Sequence, residues 1–87
     1  MPYPIIYGKK VVNGDIPKIP PNIKPIIIRA INERLAVAPL DYGKQLRYSL
    51  KDQRCLRVGD WRIAYKFEEG SVKITRIQNR RDAYKDW

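Results

Sequence analysis

Basic and apolar side chains alternate through the stretch RCLRVGDWRIAYKF, residues 54–67, which makes it the most informative part of the chain. Arg57, Arg62 and Lys66 lie among the apolar residues of this stretch. Alternate residues of a strand point to opposite faces of a sheet. The guanidinium group is a planar fork of donors that matches phosphate oxygens. The pattern therefore predicts a pair of strands with one apolar face and one face that binds phosphate.

Few other reactive groups are available. The chain has no histidine and one cysteine, Cys55. A zinc site of the usual ligand types and a nucleophilic triad are therefore not expected. The glycines are scattered singly and form no phosphate-binding loop. We expect neither a metal nor a cofactor, so any catalysis must rely on arginine, lysine and tyrosine.

RNA cleavage is the reaction class that these residues suit. RNA carries its own nucleophile, the 2′-hydroxyl beside each phosphate. An enzyme must align that hydroxyl, stabilise charge on the phosphoryl oxygens and manage two protons. Arginines can supply the electrostatic part, and a tyrosine or lysine could transfer a proton. Tyr48, Tyr84 and Trp87 are candidates for stacking on unpaired bases.

The net charge points to an anionic partner. The 87 residues carry a formal charge of +9, and seven of the nine arginines follow residue 46. This excess favours phosphate recognition, although charges that serve only solubility would look similar. The length predicts one domain over residues 1–87. The lone cysteine suits the cytoplasm, and no apolar run is long enough for a membrane span.

The N-terminal half is expected to supply one edge strand and one main helix. Residues 3–7 read as a strand that lies at an edge or begins after Pro4. Asn13-Gly14 limits the next segment to one or two helical turns around residues 9–12. The clearest helix covers residues 22–39, with Asn22 as its cap and Pro39 at its end. Its apolar stripe comprises Ile23, Ile27, Ala30, Ile31 and Leu35, widened by Ile26.

The C-terminal half is expected to form a meander of strands. Strands are predicted near residues 46–50 and over residues 54–58, 61–67 and 72–78, with turns at 59–60 and 68–70. The predicted fold is a two-layer α+β domain. In it, a small antiparallel sheet of three or four C-terminal strands plus the N-terminal strand is packed by one main helix.

Two motifs give the chain a resemblance to a known family. The strand LRVGDWRIAY, followed by a further strand and then NRRDAY, resembles the RelE/ParE toxin superfamily of toxin–antitoxin systems. The usual pattern there is close to L-R-V-G-D-Y-R-I-x-Y and a terminal H-R-x-D-V-Y. The order of elements also matches, so the resemblance covers nearly the whole chain and implies a RelE/ParE-like fold.

The resemblance to the RelE-type enzymes implies roles for particular residues. Arg62 matches the arginine that contacts the scissile phosphate, and Arg57 lies on the strand that supplies basic residues to the cleavage site. Arg80 or Arg81 matches the arginine that stabilises the transition state. Tyr84 matches the terminal tyrosine that stacks on the substrate or exchanges protons with it. Further RNA-binding candidates are Arg54, Lys44, Arg47, Tyr48, Lys66 and Arg76.

The chain also departs from the family pattern. Asn79 stands where many relatives have histidine, and an amide cannot shuttle a proton at neutral pH. Gln53 and Cys55 occupy strand positions where RelE-type enzymes favour lysine. The first helix, usually long, is interrupted by Asn13-Gly14 and prolines.

The resemblance predicts a toxin that cleaves mRNA presented in the ribosomal decoding site. It also implies a cognate antitoxin that covers the basic surface within a toxin–antitoxin hetero-oligomer. One alternative keeps the fold and inhibits DNA gyrase by protein contact, as ParE-type members do. Another is a non-catalytic module that binds RNA or the ribosome, with strongly salt-dependent affinity.

Overall fold

Five strands form a single sheet in the computed structural model, which describes residues 2–40, 44–45 and 53–81. The strands are β1 (Ile5–Tyr7), β2 (Lys44–Gln45), β3 (Arg54–Val58), β4 (Trp61–Glu68) and β5 (Ser71–Asn79). The α-helix α1 covers Lys24–Ala30 and lies between β1 and β2 in the chain. The strand predicted near residues 46–50 lies outside the described residues.

The order of the strands is β1-β5-β4-β3-β2. Strands β3, β4 and β5 form the predicted antiparallel meander, and the predicted α+β class is confirmed. Strand β1 lies at the edge and begins directly after Pro4, as expected. It pairs with β5 in parallel, however, so the sheet as a whole is mixed rather than antiparallel. No hairpin links these two strands, so no short turn imposes an antiparallel direction on the pair.

Both predicted hairpin turns are present. Gly59 has φ of 59° at the first turn position between β3 and β4, which is the type II′ arrangement. Between β4 and β5, Glu69 and Gly70 both have positive φ, 55° and 74°, as a type I′ turn requires. The mirror-image turns match the right-handed twist of the strands, and this sets the register of the meander.

The first helical region is longer than the sequence predicted. A π-helical turn covers Val11–Asp15 and a 3₁₀ turn covers Ile16–Lys18, so helical backbone continues through Asn13-Gly14. Tertiary contacts outweigh the local turn preference. Val11 is fully buried in the core. In addition, the Asp15 carboxylate accepts a hydrogen bond of 2.9 Å from the backbone N–H of Ile77 on β5.

The main helix begins and ends slightly inside its predicted limits. Ile23 rather than Asn22 is the N-cap, and no side chain caps the helix. Helix α1 continues as a π-helical turn over Ile31–Leu35 and ends before Pro39. Ile26, predicted to widen the apolar stripe, is 53% exposed because it lies on the side of the helix away from the sheet.

The core lies between the helices and one face of the sheet. Its helical members are Val11, Ile27, Ile31 and Leu35, with Ile19 directly after the 3₁₀ turn, and its strand members are Leu56, Ile63, Tyr65, Val72, Ile74 and Ile77. The hydroxyl of Tyr65 donates a 2.7 Å hydrogen bond to the Pro39 carbonyl, which satisfies its one polar group. Among the described residues, no helix has the length and hydropathy of a membrane span.

Candidate nucleic-acid interface

The other face of the sheet is basic. Alternation along β3, β4 and β5 directs one set of side chains away from the helices, because their neighbours in the chain enter the core. This set, the basic face, comprises Cys55, Arg57, Arg62, Ala64, Lys66, Lys73, Arg76 and Gln78. The predicted separation of an apolar face from a basic face is therefore present in these strands.

Arg57, Arg62 and Gln78 form one row across the basic face. Arg57 is directly opposite Arg62 between β3 and β4, and Arg62 is directly opposite Gln78 between β4 and β5. Side chains at such positions begin about 5 Å apart, so two positive charges there repel each other. Within the described part of the chain, neither arginine forms an ion pair. Asp60, the acid nearest in sequence, does not pair with Arg62.

A second pair of like charges, at the opposite end of the sheet, makes an informative contrast. Lys66 is directly opposite Lys73. There the carboxylate of Glu68 lies 3.0 Å from the Lys73 ammonium group. Glu68 raises the pKa of Lys73 through this hydrogen bond and its charge. The chain thus supplies its own anion beside the lysine pair, whereas the described residues supply none beside the arginine pair.

A hydrogen-bonded bridge crosses the basic face beside the arginine row. The register shifts between Ala64 and Tyr65, which leaves Thr75 as the extra residue of β5. The Thr75 hydroxyl contacts both the Gln53 side-chain oxygen, 2.5 Å away, and the Ala64 carbonyl, 3.2 Å away. Gln53, one of the departures from the family pattern, therefore has a structural partner.

Cys55 lies close to both arginines of the row. Burial raises the pKa of its thiol, and this effect outweighs the opposing charges of Arg62 and Arg57. The thiol is 7% exposed and pairs across the sheet with Ala64. A neutral, buried thiol is neither a general base nor a phosphate ligand at neutral pH.

Arg80 and Arg81 form a turn beside the arginine row. The backbone N–H of Arg80 donates to the Asp60 carbonyl at 2.7 Å, which ties this turn to the β3–β4 hairpin. The Arg81 N–H donates to Asn79 Oδ1 at 3.1 Å, a local side-chain turn that asparagine favours. Together with Asp60 and Asn79, the two arginines line an open cleft of about 610 Å³. Asn79 thus shapes the turn that presents both arginines.

The other predicted site residues are dispersed. Lys66 and Arg76 lie on the basic face, but Arg54 is opposite Tyr65 and so belongs to the helix side of the sheet. The backbone of Lys44 pairs with Cys55 at the edge of the sheet. Arg47, Tyr48, Tyr84 and Trp87 lie outside the described residues.

The tyrosines of the described segments, Tyr3, Tyr7 and Tyr65, lie away from the basic face. Burial raises the pKa of Tyr65 to about 12, and burial also raises the pKa of Tyr7. The Tyr3 ring packs edge-to-face on Phe67 with a centroid distance of 4.7 Å. These three side chains are therefore structural and do not supply a proton-transfer group to the arginine row.

Gln78 is the site-facing residue that the sequence analysis missed. Its amide oxygen is buried and has no hydrogen-bond partner within residues 2–40, 44–45 and 53–81. The alternation of β5 was the available signal, because Gln78 shares the phase of Arg76. Because Gln78 is neutral, the charge pattern of the sequence does not identify it.

The comparisons with known proteins agree with the fold and the motifs. No family model matches the chain. It is 31% identical over 87 residues to toxin RelG of Mycobacterium tuberculosis, which covers 98% of this chain and 99% of that protein.

A solved structure shares the architecture. The fold matches a chain of the RelBE2 toxin–antitoxin complex of Mycobacterium tuberculosis with a TM-score of 0.84 and 30% identity. The match covers 94% of this chain and 95% of that one. Sequence and structure thus agree over nearly the whole length. The chain belongs to the RelE-like superfamily of toxins from toxin–antitoxin systems.

Proposed function

We propose that this toxin is a ribosome-dependent mRNA endonuclease whose arginine row binds the scissile phosphate. The observation that carries the proposal is the Arg57–Arg62 pair, two guanidinium groups directly opposite each other with no carboxylate partner among the described residues. A phosphate between them would relieve their repulsion and engage both forks of donors. The adjacent turn with Arg80 and Arg81 adds charge for the transition state.

The reaction uses the nucleophile of the substrate. The 2′-oxygen forms a new bond to phosphorus while the bond from phosphorus to the 5′-oxygen breaks. The proton leaves the 2′-hydroxyl and another is delivered to the departing 5′-oxygen. The products are a 2′,3′-cyclic phosphate and a 5′-hydroxyl. Arg62 and Arg57 hold the phosphoryl oxygens, where negative charge grows, and the resemblance assigns stacking or proton exchange to Tyr84.

We attribute the dependence on the ribosome to a shortage of side chains that can transfer protons. The chain has no histidine, and the tyrosines of the described segments lie away from the arginine row. An in-line arrangement imposed by the decoding site would supply the alignment that this toxin lacks. Lys66 and Arg76 extend the basic face toward flanking phosphates. The setting is the cytoplasm, where an antitoxin covers the basic face until it is removed.

The test is primer extension on a defined mRNA bound to programmed ribosomes. We expect new 3′ ends at the decoding site with the unaltered toxin. Arg62→Ala should reduce cleavage by about 100-fold or more, the usual effect of removing one transition-state donor. The matched control is Arg29→Ala, which removes an exposed arginine from α1 on the other side of the sheet.

Intact mRNA at an excess of toxin would contradict the proposal. Inhibition of gyrase supercoiling that survives Arg62→Ala would then support the ParE-type alternative. Salt-dependent RNA binding without new ends would support the non-catalytic module.

A further inference from the structure

An unpartnered acceptor lies beside the arginine row. The Gln78 side-chain oxygen is buried and accepts no hydrogen bond from the residues that the structure describes. A buried amide oxygen without a donor is unfavourable, so native proteins retain few of them. Gln78 therefore calls for an explanation that its packing does not provide.

The residue directly opposite Gln78 is Arg62. Its guanidinium group carries five N–H donors and no acceptor. Within the described segments, none of these donors forms a hydrogen bond. Arg57 lies opposite Arg62 on the other side and repels it. Arg62 thus has a like charge on one flank and a free acceptor on the other.

We propose that Gln78 is the positioning residue for Arg62: when the phosphate binds, its amide oxygen accepts one guanidinium N–H and directs the remaining donors at the phosphate. This inference rests on the proposed phosphate-binding role of Arg62. A neutral amide suits this role better than a carboxylate, because it orients the guanidinium group without cancelling the charge that binds the anion.

A double-mutant cycle on binding tests the pair. The probe is a fluorescein-labelled single-stranded RNA with 2′-O-methyl groups, which the toxin cannot cleave, and the readout is fluorescence anisotropy with the full chain. Gln78→Met, which keeps the length but removes the acceptor, is measured alone and combined with Arg62→Ala or Arg76→Ala. Gln78→Met should weaken RNA binding by about tenfold, both alone and in the Arg76→Ala background. A loss of this size is typical of a hydrogen bond to a charged group.

In the Arg62→Ala background, Gln78→Met should change the affinity by less than about twofold, because the partner is already absent. The melting temperature of Gln78→Met should equal or exceed that of the unaltered chain, since an unsatisfied polar group is removed. Gln78→Leu replaces Gln78→Met in these measurements if the methionine variant does not fold.

The same loss in every background, or no loss in any, would overturn the inference and leave Gln78 a merely structural residue. The outcome is separable from that of the proposed function, because binding of an uncleavable RNA requires no cleavage. Coupling without mRNA cleavage on ribosomes would retain the Arg62–Gln78 pair and reject the endonuclease.

Discussion

The two faces of the sheet are built from alternate residues of the same strands, yet they are organised in opposite ways. On the helix face, Ile63, Tyr65 and Ile74 are fully buried, and the one hydroxyl is satisfied. On the basic face, Arg57 and Arg62 are placed opposite each other without an acid among the described residues. One face is optimised for stability, whereas the other retains an electrostatic conflict.

Stability and function are therefore assigned to opposite faces of the sheet in this toxin. Consecutive residues, Arg62 and Ile63, belong to opposite faces, so neighbouring substitutions should have effects of different kinds. Changes on the helix face should lower the free energy of unfolding, and changes on the basic face should lower RNA binding or cleavage. Single substitutions on each face test this separation, from the largest expected effect on stability to the smallest.

Ile63→Ala should lower the free energy of unfolding by about 2–5 kcal/mol, because it leaves a cavity at a fully buried site. Urea denaturation followed by circular dichroism measures the change. Arg62→Ala is the control at the adjacent position and should leave stability within about 1 kcal/mol. Equal destabilisation by both would show that the two faces are not independent.

Tyr65→Phe should lower the free energy of unfolding by about 1–2 kcal/mol, because the Pro39 carbonyl loses its donor. The pKa of Tyr65 is raised from 10.0 to about 12 in the folded protein. Its stabilising contribution is therefore complete below pH 10 and is lost as the pH rises through about 12. Tyr65→Phe should flatten this alkaline loss of stability, and unfolding curves across that range measure it. An unchanged slope would contradict the assignment.

Glu69→Asn should raise the free energy of unfolding by about 0.5–1 kcal/mol. Glu69 has φ of 55°, which asparagine adopts more readily than glutamate. The substitution also removes a negative charge near Lys73, so RNA binding should not weaken. Thermal melts and anisotropy measure the two effects, and weaker RNA binding would contradict the separation of stability from binding.

Arg57→Ala should stabilise the fold slightly, by about 0.2–1 kcal/mol at low salt, because the repulsion with Arg62 is relieved. The gain should shrink as salt rises, since partly exposed charges are screened. Urea titrations at two salt concentrations measure it, alongside the loss of mRNA cleavage on ribosomes. Destabilisation would indicate that Arg57 has a structural partner.

Much of the meander was predictable from local sequence. The predicted strands over residues 54–58, 61–67 and 72–78 agree with the structure within one residue at each end. Alternation and short glycine-containing turns act over a few residues, so they can be read without the fold. Alternation likewise predicts that Arg57 and Arg62 share a face, whereas their roles in cleavage come from the family resemblance and stay a prediction.

Other features depend on contacts between distant parts of the chain. Helical backbone through Asn13-Gly14 is retained where Asp15 reaches Ile77, 62 residues away in the chain. The parallel pairing of β1 with β5 is equally non-local. Local turn propensity was a valid signal there, but long-range packing outweighed it.

By itself, the sequence determined that this protein has an apolar and a basic side to its strands, because the period of a strand translates directly into faces. The predicted turn at residues 59–60 also implies that Arg57 faces Arg62, as the structure shows. The tertiary structure alone decided that the register shifts at Thr75, which places Gln78 rather than Ile77 opposite Arg62. Register depends on how three strands align with one another, and this alignment is a property of the folded sheet.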